Sequence, residues 1–261
     1  MNNHPIGIFD SGVGGLTVFS EMAKLLPSEN IVYFGDTARV PYGTRSAETI
    51  IRYAKEDIAF LRTHDVKLAV AACGTVSSVY SHDDDSLLYT GVVDMAARAA
   101  ARATKLGRIL VIGTSATVAS GSYEKALKAI DGGLSVSAKA CPLLVPLVEN
   151  GYTNFGNKIT TEVVREYLAE FIGEVDTLIL GCTHFPILSE IIAGVMGENV
   201  TLINPGTETA VYVKELLESR DMLGDGGTHS FYVSDDKAGF EKNAALFLGE
   251  QFSGSAELVR I

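Results

Sequence analysis

Short apolar runs rich in β-branched residues alternate with segments of helical periodicity along the whole chain, and that alternation admits few folds. A strand, a covering helix and a parallel strand form the repeating unit of a sheet with helices on its faces. Strands are expected at 6–9, 31–34, 68–72, 109–113, 134–140, 177–181, 200–203, 230–233 and 257–261. Helical spacing marks 16–26, which Pro27 closes, and then 47–62, 95–104, 116–130, 160–172 and 209–218. The expectation is an α/β protein with mainly parallel sheets.

The 261 residues suffice for one large domain or two small ones. No Pro-rich, Ser-rich or charged linker divides them, and the Ala-rich helix at 95–104 is the candidate crossing. A weak internal echo favours two halves: IGIFDSG from Ile6 resembles ILVIGTS from Ile109, and LAVAACGT from Leu68 resembles LILGCTH from Leu178. The members of each pair stand at nearly the same sequence separation. Open α/β sheets bind ligands beyond the carboxyl ends of their strands. Two pseudo-symmetric halves, each ending a strand in a thiol, would therefore set Cys73 and Cys182 in the cleft between them.

Composition narrows the partners. Hydrophobic residues make up 47%, charged residues 20%, and 26 glycines imply many tight turns, which together fit a compact globular chain. A net charge of −11 with no basic block repels a phosphate backbone, so nucleic acid is not an expected partner. The N-terminus runs straight into the first strand without an export signal, and no apolar run reaches membrane-spanning length, so a cytoplasmic protein with no membrane partner is expected. Cys73, Cys141 and Cys182 are odd in number and far apart, which reads as free thiols rather than a disulfide framework.

Each candidate motif has a plain structural alternative. A free cysteine is usually a small buried hydrophobe, and Cys141 in AKACPLLVP is read that way. Cys73 and Cys182 differ: each follows an apolar strand and precedes small hydrogen-bonding residues, namely Gly74 and Thr75, or Thr183 and His184. Backbone N–H groups at a following helix start are expected to lower their pKa. No Cys-x-x-Cys and no second histidine at metal spacing from His184 is present, so no metal site is expected. His82 with Asp83, Asp84 and Asp85 is read as a solvated polar loop. FDSGVGGLT lacks the dinucleotide glycine spacing and the P-loop lysine, and Asp10 at its mouth would repel a phosphate. A carboxylate there suits a substrate ammonium or the orientation of a neighbouring thiol, and the plain reading is that Asp10 and Ser11 cap a helix. The Pro41-Tyr42-Gly43 turn can aim N–H groups at a carboxylate, and Thr114 and Thr117 stand where they can cap a helix.

Taken in order, FDSGVGGL, VPYG, Ala72-Cys73, Gly113-Thr114 with Thr117, PLVENG and GCTH span nearly the whole chain, and the set resembles the glutamate racemases of the aspartate/glutamate racemase family. The resemblance implies two α/β domains, residues 1–97 rejoined by 209–261 and residues 98–208, with the site in the cleft between them. It implies no cofactor, glutamate as a small-molecule substrate and a supply of D-glutamate for peptidoglycan, and it is compatible with a homodimer. Cys73 would take the α-proton from D-glutamate and Cys182 from L-glutamate, assisted by Asp10 and His184 respectively. Asp10, Ser11, Tyr42, Gly43, Gly74, Thr75, Thr183 and His184 would meet the substrate, with Asp36, Thr114, Thr117 and Glu149 in support. The N-terminal extension of activator-dependent relatives is not seen, so no obligatory activator is expected.

The chain departs from the family pattern at Gly74, where an asparagine is usual, at Asp94-Met95-Ala96 in place of Glu-Pro-Gly, and at Asn204 in place of an aspartate. Gly74 is expected to leave extra room and to forgo one hydrogen bond, so that Gly74→Asn would raise kcat/KM for glutamate by roughly one order of magnitude. That room keeps open a two-thiol racemase for another acidic amino acid. An amino-acid-binding relative without turnover is the remaining alternative, and the presence of both thiols, Asp10 and His184 weighs against it.

Overall fold

The computed structural model describes residues 1–82, 86–252 and 254–261; Asp83, Asp84 and Asp85 of the expected polar loop lie outside them. Among the described residues, ten strands form two wholly parallel sheets. The first sheet has the order β10-β9-β2-β1-β3-β4, from β1 (Ile6–Asp10), β2 (Ile31–Gly35), β3 (Leu68–Ala71), β4 (Leu88–Gly91), β9 (His229–Val233) and β10 (Glu257–Leu258). The second has the order β6-β5-β7-β8, from β5 (Arg108–Gly113), β6 (Ser135–Ala140), β7 (Thr177–Leu180) and β8 (Thr201–Ile203). The internal echo of the sequence corresponds to pairing: β1 lies beside β3 and β5 beside β7.

Strands covered by helices on both faces have no reason to alternate apolar with polar residues, and β1, β3 and β7 are buried throughout. The period of two survives in which core each side chain enters. Leu68 and Val70 join one cluster with helices α1 (Leu16–Leu25) and α10 (Pro205–Ser219), while Ala69 and Ala71 join another with α2 (Ala47–Arg62). In the second sheet, Leu110 and Ile112 face α8 (Lys158–Leu168) and α9 (Ser189–Met196), and Ile109 and Val111 face α4 (Val92–Ala103) and α6 (Ser122–Ile130).

The chain leaves the first sheet through α4 and returns to it through α10, so the expected domain limits fall inside these two helices. Alanines on the buried face of α4 bring its backbone close to its neighbours, and Asn204 caps α10 by accepting the Gly206 N–H at 2.9 Å. The expected helix at 116–130 is two helices, α5 (Ser115–Ser120) and α6, because Gly121 takes a left-handed conformation with φ of 63°. Two short helices, α3 (Gly74–Val79) and α7 (Leu144–Glu149), and the longer α11 (Lys237–Leu248) complete the helical layer. No helix among the described residues is long and apolar enough to cross a membrane.

Candidate active site

The carboxyl ends of the paired central strands deliver one cleft. Ser11 follows β1, Cys73, Gly74 and Thr75 follow β3, Thr114 follows β5, and Cys182, Thr183 and His184 follow β7; all line a cavity of about 440 Å³. β1 and β5 each lie between the next two strands of the chain, one on either side, so the strand order reverses there, which is where parallel sheets open a crevice. Both thiols are nearly closed off from solvent, Cys73 being 5% and Cys182 7% exposed. Hydrogen bonds tie the two sides together: Thr75 Oγ1 lies 3.1 Å from Thr114 Oγ1, and Thr17 Oγ1 donates to the Thr183 carbonyl at 2.8 Å.

Glycines let the two sides meet. A Cβ on Gly14 would stand 2.3 Å from Thr183 Oγ1 and 2.5 Å from His184 Nδ1, so the glycine-rich turn after β1 serves close approach to the second thiol's loop. Gly74 does not leave extra room: a Cβ there would lie 2.5 Å from the Gly181 carbonyl oxygen, because backbone from the other sheet already fills that space.

Asp10 does not cap α1, whose N-cap is Gly15 with no side-chain bond. Its Oδ2 accepts the Gly12 N–H at 2.9 Å, and its Oδ1 is buried with no partner. Burial raises its pKa, and the N–H groups of Gly15, Gly12 and Ser11 and the charge of His184 offset only part of that rise. Cys73 stands at the N-cap position of α3 without a side-chain cap bond, and the expected lowering of its pKa is overridden. Burial and then the Asp10 charge push the thiol up to about 12, against the opposing Val76 N–H and Ser11 hydroxyl, the latter 3.6 Å away. His184 sits between Cys182, with Nδ1 3.9 Å from Sγ, and Glu149, with Nε2 3.0 Å from Oε1. Burial works to lower its pKa, but the bonds and charges of Cys182 and Glu149 outweigh it and raise the value to about 10. Cys141 is buried in the second core, and burial pushes its thiol up to about 12 as well.

Of the remaining expected residues, Tyr42 and Gly43 line the cavity beside the cis Val40–Pro41 bond, and Glu149 lines it from α7. Thr114 caps α5 as its plain reading supposed, accepting the Thr117 N–H while its hydroxyl reaches Thr75 across the cleft. Thr117 supports Thr114 at 3.0 Å, and Asp36 is buried behind Tyr42, whose hydroxyl donates to it. Sequence reasoning missed Val145 and Pro142 on the cavity wall and Asp57 beneath Tyr42. Asp57 had a legible signal, since it occupies the apolar stripe of α2 with Ile50, Ala54, Ile58 and Leu61, where a carboxylate is out of place.

Facing strand ends with one thiol each define a two-lobed α/β protein with a small cavity between its sheets. The family described as Asp/Glu/hydantoin racemase matches residues 6–213, and the chain belongs to that family of isomerases. It is 46% identical over 251 residues to a glutamate racemase of Geobacter metallireducens, covering 94% of this chain and 92% of that one. Among solved structures it resembles a glutamate racemase isoform of Bacillus anthracis, with a TM-score of 0.94, 38% identity and coverage of 100% and 99%. The glutamate racemase of Francisella tularensis in complex with D-glutamate is similar with a TM-score of 0.90, 33% identity and coverage of 99% and 98%.

Proposed function

We propose that the chain interconverts L- and D-glutamate by proton exchange with two cysteines, one on each face of the α-carbon, and needs no cofactor. The observation that carries this proposal is that Cys73 and Cys182 line one cavity, each from the end of a different sheet. Glutamate as substrate is supported by the glutamate racemases to which the chain is similar, one of which holds D-glutamate.

An α-proton is weakly acidic, and without a cofactor as electron sink the developing charge must be met electrostatically. Inversion then needs a base on one face and an acid on the other. With L-glutamate, the Cys182 thiolate takes the α-proton, and the Cys73 thiol gives its own proton to the opposite face, leaving Cys73 as thiolate and Cys182 as thiol. D-glutamate reverses the roles. A Cys73 thiol pushed up to about 12 stays protonated at neutral pH, while His184, raised to about 10, is an imidazolium beside Cys182. Asp10 assists Cys73 and attracts the substrate ammonium, and His184 assists Cys182. Ser11, Tyr42, Gly43, Gly74, Thr75 and Thr183 hold the substrate, with Asp36, Thr114, Thr117 and Glu149 in support.

The same proposal divides the chain into 1–97 with 209–261 and 98–208, places it in the cytoplasm supplying D-glutamate for peptidoglycan, and allows a homodimer. Circular dichroism of each glutamate enantiomer incubated with chelator-treated, dialysed protein tests it. Both should converge on a racemate. Turnover confined to another acidic amino acid would remove glutamate as the substrate, and recovery only on adding a metal or pyridoxal phosphate would remove cofactor independence.

A further inference from the structure

Beneath the cleft wall, Tyr42 closes a buried cluster of more carboxylates than cations. Its hydroxyl donates to Asp36 Oδ2 and lies 3.3 Å from Asp57 Oδ2. Arg39 is the cation: Nε binds Asp36, Nη2 binds Asp57 Oδ1 at 2.9 Å, and Nη1 binds the more exposed Glu56. The Tyr53 ring packs under the guanidinium at 4.1 Å and beside Tyr42 at 5.2 Å. Asp36 and Asp57 are both fully buried.

Counting hydrogens assigns the charges. Ser234 Oγ accepts the Ala38 N–H, so its own proton goes to Asp36 Oδ1 at 2.8 Å. Asp36 thus receives donors on both oxygens and is an acceptor only. Tyr42 has one proton and two carboxylate oxygens in donating reach; with that proton on the nearer Asp36 Oδ2, the phenol oxygen faces Asp57 Oδ2 as an acceptor. Two lone-pair oxygens held together away from water repel unless one of them carries a proton.

We propose that Asp57 is a positioning residue acting as a neutral carboxylic acid, its Oδ2–H donating to the Tyr42 phenol oxygen and so fixing the Pro41–Gly43 segment that walls the cleft. Burial and then the Asp36 charge, with a smaller push from Glu56, raise the pKa of Asp57 well above the usual carboxylate range, against the opposing Arg39 guanidinium and Tyr42 hydroxyl. The segment reaches across the cleft, since a Cβ on Gly43 would lie 3.2 Å from Thr114 Cβ, so a displaced Tyr42 alters the space left for substrate. The consequence for turnover rests on the cleft being the glutamate site.

Asparagine reproduces a protonated aspartate, with one acceptor and one donor, and cannot mimic an ionised one. Asp57→Ala should raise KM for glutamate by about tenfold with kcat less affected, and Asp57→Asn should restore KM to within about twofold of the parent. Asp36→Asn should show no such rescue. The infrared difference spectrum of parent minus Asp57→Asn at neutral pH should contain the C=O band of a protonated carboxylic acid. Absence of that band overturns the proposal whether or not glutamate is turned over, and so does an Asp57→Asn protein as impaired in KM as Asp57→Ala. If Asp57→Ala does not fold, the band and the KM of Asp57→Asn against the parent decide alone.

Discussion

Cys73 and Cys182 occupy matching strand ends but unlike surroundings, a buried carboxylate behind one and an imidazolium beside the other. Replacing either with alanine should lower kcat by on the order of 10² to 10⁴, the span of a lost acid–base group, while Cys141→Ala leaves it nearly intact. Steady-state assays in both directions check this, and substantial turnover by either single variant would sink the two-base mechanism. Glu149→Gln removes the partner that helps hold His184 charged. The raised pKa keeps the imidazolium at neutral pH and loses it as pH rises through about 10, so losing Glu149 brings that loss to lower pH. The alkaline limb of kcat/KM for L-glutamate should move down by about one pH unit; an unmoved limb would show that His184 is held charged by something else. At Gly74 the structure reverses the expectation from sequence: any side chain meets the Gly181 carbonyl, so Gly74→Ala and Gly74→Asn should each lower kcat/KM by roughly one to two orders of magnitude. A gain of activity in Gly74→Asn would mean that the cleft opens easily there.

Elements buried on both faces were the most legible from sequence. The runs that became β1, β2, β3, β5 and β7 stand out because burial on both sides demands continuous apolar residues, and the thiol positions followed from where those runs stop. β4 was missed because Leu88–Gly91 is short and only partly buried. α11 was missed although its signals were present: Phe240, Ala244 and Leu248 recur at helical spacing, and Asp236 caps its start by accepting the Gly239 N–H. The α5–α6 break escaped because Gly121 sits inside an otherwise helical pattern, and only its positive φ marks it as a stop. Gly121→Ala should therefore cost ~1 kcal/mol through the left-handed conformation alone, since nothing lies within 4 Å of the added Cβ. Denaturant midpoints at constant m-value measure this, and an unchanged midpoint would mean that the two helices merge without penalty. The jobs of Gly14 and Gly74 were illegible for a different reason, because each is defined by a residue more than a hundred positions away.

In the whole molecule, two parallel sheets meet at their carboxyl ends, and crossings through α4 and α10 place opposed side chains on either side of one small cavity. The negative surface has no evident part in this chemistry. Hydroxyls and backbone meet across the cleft at the walls of that cavity. Opposed thiols make a claim about stereochemistry that a rate alone does not test. A thiol in exchange with solvent delivers solvent hydrogen, and it delivers it to the face opposite the one that lost the proton. The most direct measurement is proton NMR of L-glutamate, and separately of D-glutamate, turned over in deuterated water and stopped early. Two opposed thiols predict deuterium at the α-carbon of the newly formed enantiomer, while the remaining starting enantiomer keeps its proton. Deuterium appearing equally in both enantiomers from the start, or product that retains the original proton, would contradict the account.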